Sequence, residues 1–103
     1  MSTEQPRRVS AVHGRASIEP DPPSEVALAD ELRATRSRDE LLDLASRHAL
    51  GHREEDARMR RAAWRALARR FGHGVRIGRG ALATHLETFE IGDGVFIGEQ
   101  TFI

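Results

Sequence analysis

The sequence predicts an α+β fold in which N-terminal helices lead into a β region built on a six-residue repeat. Apolar residues recur at helical spacing up to about residue 72 and at alternating positions from Val75 onward. Within the second part, Ile-Gly recurs at Ile77-Gly78, Ile91-Gly92 and Ile97-Gly98, and a further Ile stands at position 103. Charge changes at nearly the same place. Residues 53–80 carry nine arginines against Glu54, Glu55 and Asp56, whereas residues 81–103 carry Glu87, Glu90, Asp93 and Glu99 and no arginine.

Composition limits the function classes. With 103 residues, of which 39% are hydrophobic, the chain can bury one modest core, and a two-domain enzyme is excluded. No cysteine is present, so there is no disulfide scaffold, thiolate metal site or cysteine nucleophile. No apolar run approaches the roughly 20 residues that cross a bilayer, and MSTEQPRRVSAVHGRASIEP lacks the apolar centre of a secretory signal. A soluble, cytoplasmic protein without a membrane span is expected. All sixteen basic side chains are arginine, a bias typical of a GC-rich coding sequence, and the net charge is zero.

Residues 1–23 hold all four prolines and little apolar periodicity, so they are expected to form a disordered tail. Residues 24–72 form the helical segment. Its first helix begins at Ser24 as N-cap, with Leu28 and Leu32 on one face. The second is marked by the capping box Ser37/Glu40, by Leu41, Ala45 and Ala49 on one face, and by Gly51 as its stop. His48 lies near that apolar face with no metal-ligand spacing around it, so a packed or surface role is expected and no metal.

The third helix carries an apolar stripe, Met59, Ala63, Leu67 and Phe71 with Trp64 adjacent, and an opposite stripe of Arg58, Arg61, Arg65 and Arg69. Glu54 with Arg58 and Asp56 with Arg60 are spaced for ion pairs one turn apart. Nearby acids, zero net charge and the lack of a nucleic-acid motif favour a solvated, salt-bridged face, and no nucleic-acid partner is expected.

The Gly-rich end admits three readings. Gly78, Gly80 and Ala83, with Glu99 about 20 residues on, match the spacing of a dinucleotide-binding turn, but ALATHLETFEIG is too short to supply the helix that such a turn opens. Alternatively TFEI and VFIG are strands of a hairpin turning at Asp93-Gly94. Only the third reading explains the interval. IGRGAL, IGDGVF and IGEQTF are hexapeptide units, the eight residues ATHLETFE being one unit with two inserted. The aliphatic first residue and the fifth residue (Ala81, Val95, Thr101) then face inward, Gly takes the corner, and Phe96 and Phe102 face outward, where the Met59, Trp64, Leu67, Phe71 stripe or a neighbouring subunit would cover them.

At these residues, about 53–103, the sequence resembles the hexapeptide-repeat acyltransferases, within them the sugar and polysaccharide O-acetyltransferases. The resemblance implies that residues 75–103 start a left-handed parallel β-helix. It further implies acetyl-CoA as donor, a saccharide or glycan precursor as acceptor, a histidine general base and a homotrimer with active sites between subunits. The family's catalytic histidine and CoA contacts lie several coils after the first. No residue here matches them, and no catalytic, cofactor-binding or metal residue is assigned. His85, in the inserted unit, is expected to be a loop or surface residue, and His73, between Gly72 and Gly74, a turn residue. The chain is thus expected to be an N-terminal fragment of such an enzyme. The alternative is a noncatalytic helical interaction or oligomerisation module.

Overall fold

In a computed structural model, which describes residues 7–9 and 18–103, the chain is an α+β structure of three helices and small parallel sheets. The order is β1 (Arg7–Val9), α1 (Pro23–Thr35), α2 (Arg38–Arg47), α3 (Glu54–Leu67), β2 (Arg70–Phe71), β3 (Arg76–Ile77), a 3-10 turn at Leu86–Thr88, β4 (Phe89–Ile91) and β5 (Phe96–Ile97). The tail expected to be disordered therefore contributes a strand at 7–9 and the first residue of α1, while residues 1–6 and 10–17 of it lie outside the described residues.

Helix α1 starts at Pro23, not after a Ser24 cap, because a proline in the first turn has its φ preset and lacks an N–H that would go unpaired. Its buried face is Glu25, Ala29 and Leu32, with Leu28 partly buried beside them. Helix α2 has the capping box the sequence predicts: Ser37 Oγ accepts from Glu40 N (3.1 Å), and Ser37 N donates to Glu40 Oε1 (2.9 Å). It ends at Arg47, before Gly51.

Both helices pack on α3, which is buried far beyond one stripe. Ala62 to Leu67 are all buried, and so is Arg60. The C-terminal carbonyls of α3 at Arg65 and Ala66 accept from the Arg33 guanidinium of α1 (2.6 and 3.2 Å), which satisfies groups that a helix end leaves open. The helix stops at Leu67 instead of running to 72, because the next backbone N–H groups are taken by a sheet. Arg69 N donates to Phe89 O (3.0 Å) and Gly72 N to Ile91 O (2.8 Å). Phe71 accordingly leaves the helical stripe and becomes a strand residue.

The strands pair in parallel, and from β2 onward they share one register. Arg70 lies opposite Glu90, Arg76 opposite Phe96, and Leu82 opposite Phe102 across an isolated bridge, so three pairings six residues apart all join positions separated by 20. The hairpin reading is thereby corrected: β4 and β5 flank Asp93-Gly94 but belong to different sheets and do not pair with each other. On its other edge β4 pairs with β1, Gly92 N donating to Val9 O (2.7 Å).

This register explains the glycine after Ile77 and the one after Phe71. A Cβ on Gly78 would stand 2.5 Å from Glu99 N, and one on Gly72 2.6 Å from Asp93 N, so neighbouring strands approach too closely there for any side chain. The turns two residues later use positive φ at Gly74, Gly80, Gly94 and Gln100, again in pairs 20 apart. Between the turns, Val75, Ile77, Ala81, Ile91, Val95 and Ile97 point inward and join Trp64, Leu67, Leu86 and Phe89 in one core. Each large aliphatic side chain so buried contributes about 1.5–3 kcal/mol.

Candidate functional site

The polar chemistry concentrates where α3 meets the β region. Of the four arginines expected to form a solvated stripe, Arg65 is buried and Arg61 half-buried. Arg61 makes a two-pronged pair with the buried Glu25 carboxylate (3.0 and 2.8 Å), which holds the guanidinium above its ordinary pKa. Arg65, itself buried, donates to Asp21 Oδ2 and to Gly72 O (2.8 Å) and lies 5.0 Å over the Phe71 ring. Arg58 lies 3.9 Å from Glu55, and Arg69 3.9 Å from Glu90.

Asp21 is the centre of a clamp. Besides Arg65 it accepts from Gly74 N (3.1 Å), while its own N–H donates to His73 Nδ1 (2.9 Å). His73 N donates to Asp93 Oδ1 (2.7 Å) in the turn 20 residues on. His73 is a turn residue, as expected. One shallow groove of about 540 Å³ runs beside it, past Arg8, Arg70, Phe71, Glu90 and Asp93.

The ion pair expected between Asp56 and Arg60 does not form. Asp56 turns back to the α2–α3 connection, where it bonds His48 Nδ1 (2.8 Å) and accepts from Arg53 N (3.3 Å), and the histidine contact depresses its pKa. Arg60 points the other way, into the protein, and donates to Ile77 O (3.2 Å), His48 O (2.9 Å) and Gly51 O (2.7 Å). Burial pushes its pKa below the ordinary arginine value, with Arg61 and Arg79 adding like-charge repulsion.

Above Arg60 opens a second groove of about 520 Å³, between the start of α3 and the outer faces of β3 and β5. Arg53, Arg61, Arg76 and Arg79 stand on its walls, with Glu54 and Glu99 as the acids. Phe96 is 63% exposed on the same surface, and the Arg76 guanidinium lies 5.4 Å over its ring. The outward placement of Phe96 and Phe102 (68% exposed) agrees with the six-residue pattern, but the α3 stripe does not cover them: Trp64 and Leu67 are spent in the core.

The remaining sequence candidates do not converge. His85, in an exposed left-handed turn, lies 3.7 Å from Glu87. Gly78 and Gly80 occupy strand-stacking and turn positions, and after Ala83 comes a three-residue 3-10 turn, so the dinucleotide reading lacks its helix. Among the described residues no three metal-ligating side chains form a group, and no helix is long and apolar enough to cross a membrane. Sequence reasoning missed the basic groove. Its signal was the arginine excess over 53–80 combined with the outward position of Phe96, opposite Arg76 in register. No family model, curated protein or solved structure matches the chain.

Proposed function

We propose that the parallel pairings open a left-handed parallel β-helix, and that the protein acts as an acetyl-CoA-dependent O-acetyltransferase on a saccharide or glycan precursor in the cytoplasm, assembled as a homotrimer. The observation that carries the reading is the constant register, Arg70 to Glu90, Arg76 to Phe96 and Leu82 to Phe102. A coil of three hexapeptide units lengthened by the two inserted residues has that repeat. Phe71-Gly72-His73-Gly74-Val75-Arg76 adds a unit of the same form: Phe71 turns inward, Gly72 stacks under Gly92-Asp93, Gly74 has positive φ, and Val75 is buried.

In this reading residues 54–103 are the helical lead-in and first coil, and none of them is assigned as the general base or as a CoA contact. The test is acetyl transfer from acetyl-CoA to saccharide hydroxyls, with CoA binding measured separately, on the protein as the cell makes it. CoA binding with saccharide-dependent release of free CoA supports the reading; no CoA binding refutes it.

The second reading, a noncatalytic oligomerisation module, is favoured by one observation: Leu82 and Phe102, opposite one another in register, are both exposed. The arginine stripe no longer supports it, since Arg61 and Arg65 are satisfied within the chain.

A further inference from the structure

We propose that the groove above Arg60 binds a ligand joining a diphosphate to a planar ring, of the nucleoside diphosphate class. The arginines differ in how far they are already engaged within the chain. Most arginines of the helices already have partners: Arg33 binds α3 carbonyls, Arg61 pairs with Glu25 and Arg65 with Asp21, and Arg38, Arg47 and Arg58 pair with Glu87, Asp43 and Glu55. Among the described residues, Arg36, Arg53, Arg70, Arg76 and Arg79 have neither a carboxylate within ion-pair distance nor a side-chain hydrogen bond, and three of these five, Arg53, Arg76 and Arg79, line this one groove.

Arg60 supplies a fixed positive floor. Its guanidinium is held by three carbonyl oxygens and no carboxylate, so its charge is oriented but not neutralised by a bonded partner. With Arg61 neutralised by Glu25, the lining sets Arg53, Arg60, Arg76 and Arg79 against Glu54 and Glu99 in a chain of zero net charge, which leaves a positive excess in this concavity. Rigid guanidinium forks on separate walls suit the several oxygens of a diphosphate better than a single carboxylate.

The ring follows from Phe96. It is exposed beside those arginines, and with Arg76 over its face it offers a planar stack on which a heterocycle can lie. A volume of about 520 Å³ falls within the range of small-ligand sites. The proposal does not rest on acyl transfer and survives if that reading fails.

The test is a titration of the isotope-labelled 103-residue chain with ADP, inorganic pyrophosphate and adenosine, read at the backbone amides. The expected result is that ADP moves the amides of Arg76, Ile77, Gly78 and Arg79, binds more tightly than either half, and weakens as salt is raised. Arg79→Gln with Arg53→Gln should weaken ADP and pyrophosphate by about tenfold or more. Phe96→Ala should weaken ADP and leave pyrophosphate unchanged, and Arg36→Gln, outside the groove, should change neither. Unchanged Trp64 fluorescence establishes that each variant is folded. The proposal is overturned if millimolar ADP leaves those amides unmoved, if the double arginine variant binds ADP as well as the parent, or if Phe96→Ala has no effect on ADP.

Discussion

Replacing Gly78 by alanine tests the physical origin of the Ile-Gly repeat. The added Cβ would lie 2.5 Å from Glu99 N, 2.7 Å from Gly98 C and 2.8 Å from Glu99 Cα, all backbone atoms that no rotamer change can move aside. Relief requires the two strands to separate by roughly 1 Å, an overpacking cost of about 1–3 kcal/mol. That separation also stretches Gly78 N to Ile97 O (2.7 Å) and Gln100 N to Arg79 O (2.9 Å). Each such bond contributes about 0.5–1.5 kcal/mol. Set against this, alanine restricts the unfolded chain and returns about 0.4–1 kcal/mol. A net loss of about 2–4 kcal/mol is expected, a large share of the stability of a small domain. Gly98→Ala is the internal control. It holds the same place in its hexapeptide unit, yet its added Cβ meets only Thr101 Oγ1 at 3.3 Å, so its cost should be under about 1 kcal/mol. The assay is urea unfolding followed by the fluorescence of Trp64, the single tryptophan, which is 3% exposed. Equal destabilisation by the two substitutions, or a neutral Gly78→Ala, would refute the stacking argument.

Two further outcomes follow from the polar contacts. Asp21→Ala removes the partner of buried Arg65 and the acceptor for Gly74 N, and should cost on the order of 3 kcal/mol in the same urea experiment; a change below about 1 kcal/mol would mean that the clamp is not formed in solution. Acid should destabilise the fold, because Asp56, Glu40 and Glu87 all have depressed folded pKa values, from the His48 contact, the Ser37 backbone N–H and a backbone hydrogen bond aided by Arg38 respectively. The unfolded chain binds the extra protons, so this stability is present above the ordinary carboxylate pKa of about 4 and is lost as pH falls through the lower folded values. Asp56→Asn should flatten that part of the melting-temperature profile, and an unchanged slope would remove Asp56 from the explanation.

What could be read from the sequence was whatever is local. The capping box at Ser37 and Glu40 depends on residues three apart, and the inward and outward sides of IGDGVF and IGEQTF depend on period alone, so both are visible without a fold. Phe71 was misassigned because it fits two periods at once, the fourth-residue spacing of α3 and the first position of FGHGVR; the sheet hydrogen bonds of Arg69 and Gly72 decide between them. The arginine stripe was misread for a different reason. Its carboxylate partners, Asp21 and Glu25, lie 44 and 36 residues away beside a proline-rich stretch, where no helical spacing connects them to α3. Strand β1, three residues of RRV, has no pattern of its own and exists through pairing with β4.

The central claim is that strands 20 residues apart lie side by side in parallel. Scalar couplings transmitted through hydrogen bonds in the isotope-labelled protein test it directly, since each links one amide nitrogen to the carbonyl carbon it addresses. The account predicts correlations from Arg76 N to Val95, Gly78 N to Ile97 and Leu82 N to Thr101. Correlations joining Phe89–Ile91 to Val95–Ile97 across Asp93-Gly94 would instead establish a hairpin and contradict the parallel register, and with it the proposed acyltransferase coil.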